Sequence, residues 1–290
     1  MSALVEDFDR QAGDVGRGEA FMRACRFELR HLRGLRSTWI LVAVVLVLCL
    51  LSGGGAYLSA DGAGHVRAAD LETALTWTPA LAQICFIGFY LMVLGTGPVS
   101  AELVRGGART TWLTVGGRSV AYWSKCVVGV LMGVAVAAAG VVVEAGAAMV
   151  SFVVAGVEQP QWLDLAAPVG RLLLWVACWM LWCTAVSALI RNRVGPVLVL
   201  CLVPLLGERV VGMLLGKVPG VDLSGVGEWL PFTLGRSMMV DMSAMATEER
   251  NFFGLFLGTD VPAGPAAAGF VAYTALVAVA AFVVYRRRSG

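Results

Sequence analysis

Six stretches of this chain are long and apolar enough to cross a lipid bilayer, and that limits the fold more than any other feature. A helix rises 1.5 Å per residue, so about 20 apolar residues cross a hydrocarbon core ~30 Å thick. By that ruler the stretches run from about Thr38 to Ser59, Leu75 to Val99, Trp123 to Val154, Val169 to Ile190, Val194 to Leu215 and Ala266 to Tyr285. Charged residues make up 14% of the chain, where soluble domains carry about 25%, so water is the wrong solvent for most of it. In lipid every backbone N–H and C=O must be paired within its own segment, which leaves helices for spans of this length. The expected fold is an all-α integral membrane protein with six transmembrane helices in one domain over residues 18–290. A polar, Gly-containing segment at 1–17 precedes it and is expected to be flexible.

Charge sets the expected orientation. Arg10, Arg17, Arg23, Arg26, Arg30, Arg33 and Arg36 lead into the first span, and Arg105, Arg109, Arg118 and Lys125 occupy the second connection. Arg191 and Arg193 form the tight turn between the fourth and fifth spans, and Arg286, Arg287 and Arg288 follow the sixth. With six spans all of these fall on one side, which the positive-inside rule makes cytoplasmic, together with both termini. Acidic residues such as Asp61, Glu72, Glu158, Asp222 and Asp260 collect on the other side, where the stretch of about 216–264 also lies. Its apolar clusters Trp229–Phe232 and Phe252–Phe256 are too short to span and suit helices at the interface or dipping back into the membrane. In the third span Gly129, Gly133 and Ala137, four residues apart, form a small-residue stripe that lets another helix approach closely. Before the first span, Phe21, Met22, Cys25, Leu29 and Leu32 share one face of a helix otherwise rich in Arg, the pattern of an amphipathic helix along the inner leaflet.

Catalytic chemistry finds little support. The two histidines, His31 and His65, flank the first span, so neither an HExxH zinc site nor an intramembrane Ser-His dyad can be assembled. Seven cysteines with no CxxC, mostly in apolar runs, read as packing residues rather than disulfides or metal ligands. No GxxxxGK[ST] loop is present to cradle ATP phosphates, and nucleic-acid binding has no basis in the charge pattern. Glu144 in the third span, and Glu208 with Arg209 in the fifth, are the intramembrane exceptions. An ionisable group there marks a polar lining for a substrate path or, more simply, an interhelix ion pair, for example Glu144 with Arg209 or Arg171, or a side chain reaching the outer interface.

Two polar stretches carry a resemblance. One runs from Cys25 to Trp39 and contains Glu28 and then Arg36-Ser37-Thr38-Trp39 directly before the first span. The other runs from Pro98 through Glu102, Arg105-Gly106 and Arg109-Thr110-Thr111 to Lys125. Together with Ser187-Ala188-Leu189-Ile190-Arg191 before Gly195, and Leu230-Pro231-Phe232, they resemble bacterial ABC-2 type permeases, from about Arg23 to the C-terminus. Gly107 and Gly116 depart from that pattern, where Thr and Pro are usual. The resemblance implies a permease subunit of an ATP-driven exporter in the bacterial plasma (inner) membrane. It implies no enzymatic activity or cofactor in this chain, with ATP and Mg bound by a dimer of ATP-binding cassette subunits, and a second permease subunit completing the path. Glu28, Glu102, Arg105, Gly106, Arg109 and Thr110 would then be contacts to the ATPase. A transported peptide, antibiotic-like molecule, lipid or ion fits equally. The alternatives are an ion-gradient-driven secondary transporter, expected to show repeats and midplane acids, and a non-transporting membrane sensor or anchor.

Overall fold

The computed structural model describes residues 17–59, 66, 71–72, 74–75, 86–105, 111–112, 117–190, 192, 194–215, 217, 224–240 and 261–287. Among these there is helix and no strand. The helices are α1 (Arg17–Gly34), α2 (Arg36–Gly55), α3 (Phe86–Arg105), α4 (Arg118–Ala155), α5 (Ala166–Leu189), α6 (Gly195–Leu202), α7 (Glu208–Leu215), α8 (Ser224–Glu228), α9 (Pro231–Ser237) and α10 (Ala263–Arg287). Among the described residues five helical stretches are long and apolar enough to cross a membrane: Arg36–Leu58, Arg118–Ala155, Trp162–Leu189, Gly195–Leu215 and Ala263–Arg287. For the expected second span, Leu75 to Val99, the apolar helical part described is the shorter Ile87–Gly97, and residues 76–85 of that expectation lie outside the described residues. Residues 1–16 do so as well.

α5 is the central helix. In its most apolar window 67% of residues are buried, against 17–33% in the other four long stretches, so α5 packs on protein and the others face outward. Leu51, Val142, Val150 and Leu276 stand out from the bundle, which lipid tolerates and water would not. Three tryptophans on α5 tie the bundle together because a buried indole N–H needs an acceptor. Trp175 stacks on Trp179, whose Nε1 donates to the carbonyl of Gly88 on α3 at 2.9 Å. Trp182 Nε1 donates to Thr274 Oγ1 of α10 at 3.0 Å.

The small-residue stripe meets α5 as its spacing requires. A Cβ on Gly133 would stand 2.5 Å from Met180 Cγ, and one on Gly95 of α3 would stand 2.6 Å from Cys183 Cβ. On another face of α4, Gly53 of α2 lies against the backbone carbonyl of Glu144, where a methyl group would overlap it, and Ser151 Oγ donates to the Gly53 carbonyl at 3.2 Å. Close approach, rather than hydrophobic sorting, is what joins helices where the surroundings are as apolar as the side chains.

The expected fifth span is interrupted. Between α6 and α7, residues Val203–Gly207 form a π-helical turn around Pro204, whose missing N–H removes a rung of the helix. Gly212 and Gly227 let α7 and α8 touch, a Cβ on Gly227 lying 3.3 Å from Gly212 Cα. α9 then enters the bundle with every residue from Phe232 to Ser237 buried, and Phe232 packs against Trp179, Trp182 and Phe270.

Candidate functional site

α1 runs beside the first turns of α4. Ala24 lies in one cluster with Ala121, Tyr122 and Cys126, while Glu28, Leu32, Lys125 and Val128 line one small cavity. The buried stripe of α1 is therefore Ala24, Glu28 and Leu32, with Phe21, Cys25 and Leu29 half-buried beside it. The apolar periodicity points instead to a face including Met22, which is exposed. A charge turns the helix: Glu28, 2% exposed, faces inward to reach Lys125, 7% exposed.

Lys125 Nζ sits between two carboxylates, donating to Glu28 Oε1 and, at 2.8 Å, to Glu102 Oε1 near the end of α3. Thr111 Oγ1 makes a longer contact of 3.4 Å to the same Glu102 oxygen. An isolated buried ammonium is costly, and two charge-assisted bonds offset much of that cost. The cluster joins α1, α3 and α4, three elements separated by up to 97 positions in sequence. Beside it, Gly95, Gly129 and Thr184 help to line the cavity, whose volume of about 10 Å³ has room for one water at most.

An aromatic clamp adjoins this cluster. Trp112 Nε1 donates to Tyr285 Oη of α10 at 2.7 Å, and Tyr122 Oη donates to the Ala278 carbonyl at 2.8 Å. The Arg118 guanidinium lies 4.7 Å from the Trp112 ring centroid and donates to the Arg286 carbonyl at 2.8 Å, at the C-terminal end of α10, where carbonyls lack helical partners. The start of α4, the end of α3, α1 and the end of α10 thus share one end of the bundle.

At the opposite end of α4, Glu144 is 1% exposed and buried against α2. Arg171 donates to Glu72 at 2.9 Å. Glu208 has a different solution. Its carboxylate, 6% exposed, accepts the backbone N–H of Phe232 at 2.9 Å, the N–H of Thr233 at 2.7 Å and the Thr233 hydroxyl at 3.0 Å. It therefore caps the first turn of α9 from another helix, behind Pro231, a residue that starts a helix without needing an N–H.

Of the residues singled out in the sequence, Glu28 and Glu102 meet at Lys125, while Glu144 packs against α2 and Glu208 bonds to the start of α9. Arg105 ends α3, and Gly106, Arg109 and Thr110 lie outside the described residues. Sequence reasoning missed Tyr285, Tyr122 and Thr233. A tyrosine just ahead of three arginines is a usable signal for Tyr285, and nothing local marks Thr233 as a partner of Glu208.

No protein-family model matches the chain, and no curated protein matches it. The fold defines its class: an all-α, multi-pass membrane protein.

Proposed function

We propose that this chain is the membrane-spanning permease subunit of an ATP-driven exporter of the ABC-2 type. The observation that carries the reading is the Glu28–Lys125–Glu102 cluster, because its three residues come from the two stretches that resemble the family and are otherwise far apart. In this reading six spans cross the bacterial plasma membrane with both termini in the cytoplasm. The arginine-rich connection between α3 and α4 then faces a dimer of ATP-binding subunits, and a second permease subunit completes the path.

The chemistry assigns different work to different residues of that connection. Glu102 is engaged inward with Lys125, so it roots the connection in the bundle. Arg105 and Arg109 are the charges offered to an acidic groove of the ATPase, where guanidinium-carboxylate bonds are directional and strong. A push on the connection reaches α1 through the Lys125 cluster and α10 through the Trp112–Tyr285 clamp. ATP hydrolysis belongs to the partner.

The test is purification of the tagged chain in mild detergent, with identification of co-purifying proteins and an ATPase assay. A stoichiometric ATP-binding partner, lost or uncoupled in Arg105→Ala with Arg109→Ala, is the expected result. Recovery of the folded chain without such a partner, across several gentle detergents, overturns the proposal.

A further inference from the structure

α1 leaves a strongly basic face unused by the bundle. With Glu28 directed at Lys125, the 100° step per residue puts Arg23, Arg26, Arg30 and Arg33 on the opposite side, and all four are exposed. Arg23 has an acidic neighbour on its own helix, Glu19 at 3.9 Å, which leaves Arg26, Arg30 and Arg33 as the core of the face.

The depth of this face follows from the contacts on its other side. Ala24 is level with Ala121 and Tyr122, Glu28 with Lys125, and Leu32 with Val128. Those α4 positions mark the change from the polar turn at Arg118 to the exposed apolar surface of Val127 and Leu131, which is where headgroups give way to hydrocarbon. A single extended residue, Leu35, separates α1 from α2, and Trp39 Nε1 donates back to the Arg33 carbonyl at 2.8 Å. The last turns of α1 are thus tied to the first turn of a membrane span whose Trp39 and Ile40 are exposed. Met22 and Phe27, also exposed, flank the arginines as apolar contacts at the same boundary.

We propose that Arg26, Arg30 and Arg33 form a binding face for anionic phospholipid headgroups, which hold α1 at the edge of the bilayer next to the Lys125 cluster. Phosphate suits the site: guanidinium forks match its oxygens in pairs, and a soluble acidic protein has poor access at the depth of Val127 and Leu131. The inference requires only that the chain spans a bilayer and stands independently of the transport reading.

The experiment uses the full chain in bilayer discs made from equal parts phosphatidylglycerol and phosphatidylcholine, with retained lipids counted by native mass spectrometry. Wild-type protein is expected to retain phosphatidylglycerol preferentially, and the preference should fall about fivefold for each arginine removed, since one arginine near an anionic surface is worth ~1 kcal/mol. In Arg26→Gln, Arg30→Gln, Arg33→Gln it disappears, whereas Arg286→Gln with Arg287→Gln, which removes charge at the same end of the bundle but off this face, leaves a clear preference. High salt weakens the preference in wild type. Equal retention of both lipids by wild type overturns the proposal, as does an equal loss in both variants. Retention that survives the triple change does the same. Should the triple variant not fold, the three single changes are read instead, and each must lower the preference.

Discussion

The bundle buries carboxylates in two places and satisfies them in opposite ways. At one end Glu28 and Glu102 share the ammonium of Lys125, a side chain answering side chains. Beside the middle of α5, where Phe232 packs on Trp179 and Trp182, Glu208 is answered by the free N–H groups of a short helix together with the hydroxyl of Thr233. The first arrangement links α1, α3 and α4 through long side chains whose geometry can change without unfolding any of them. The second makes the carboxylate part of the secondary structure of α9, so losing it removes a helix start. The first place is built as a joint between helices, the second as a fixed plug.

The strongest way to break this comparison is to delete the joint's cation. Lys125→Met leaves the buried carboxylate of Glu28 facing the half-buried one of Glu102, and destabilisation of about 3–5 kcal/mol is expected, read as a fall in melting temperature and in folded yield. Adding Glu28→Leu should recover a large part of that loss, since an apolar replacement of a buried pair is often tolerated. A double change no better than Lys125→Met alone would show that Glu28 does not partner the ammonium.

Glu208→Ala strands two backbone donors of α9, with an expected loss of about 3 kcal/mol. The comparison sharpens through Glu208→Gln, which keeps one acceptor oxygen and should lose less than half as much. Hydrogen exchange at Phe232 and Thr233 is the local readout, accelerated in the Ala variant. Unchanged exchange there would remove Glu208 from the role of cap.

Close helix packing limits how far either can move. Gly53→Ala forces a methyl group into the backbone of α4 at Glu144, which cannot step aside, whereas Gly133→Ala meets the flexible side chain of Met180. Both should destabilise within about 1–3 kcal/mol, Gly53→Ala more than Gly133→Ala, as thermal unfolding in detergent would report. The reverse order would mean that α2 adjusts more easily than α5. The smallest effect is expected from Trp112→Phe, which exchanges the indole for a smaller ring and loses one hydrogen bond to Tyr285, about 1–2 kcal/mol. Near-ultraviolet circular dichroism should report that the tyrosine's surroundings have changed.

These contrasts follow how much of each region could be read in advance. Helix boundaries were accessible because lipid imposes its thickness on the sequence: the expected third, fourth, fifth and sixth spans overlap α4, α5, α6 with α7, and α10 to within a few residues. Glu28, Glu102 and Lys125 were visible as charges in conspicuous stretches, though not as partners. The direction of α1 was misread at Met22, because periodicity weighs only apolar side chains while one buried ion pair outweighs several partial apolar contacts. The π-helical turn at Val203–Gly207 has a local cause in Pro204, but its use, presenting Glu208 to a helix some 24 positions further on, does not.

Sequence alone determined the solvent, the form and the approximate limits of the long helices, since a continuous apolar run near 20 residues admits few other solutions. It also set which faces can approach closely, through the Gly and Ala stripe of α4. Tertiary structure decided which charge meets which, and so separated a joint at Lys125 from a capped plug at Glu208. The reason is that a buried charge is satisfied by whatever group the fold brings within about 3 Å, and that proximity is a property of packed helices rather than of any segment read by itself.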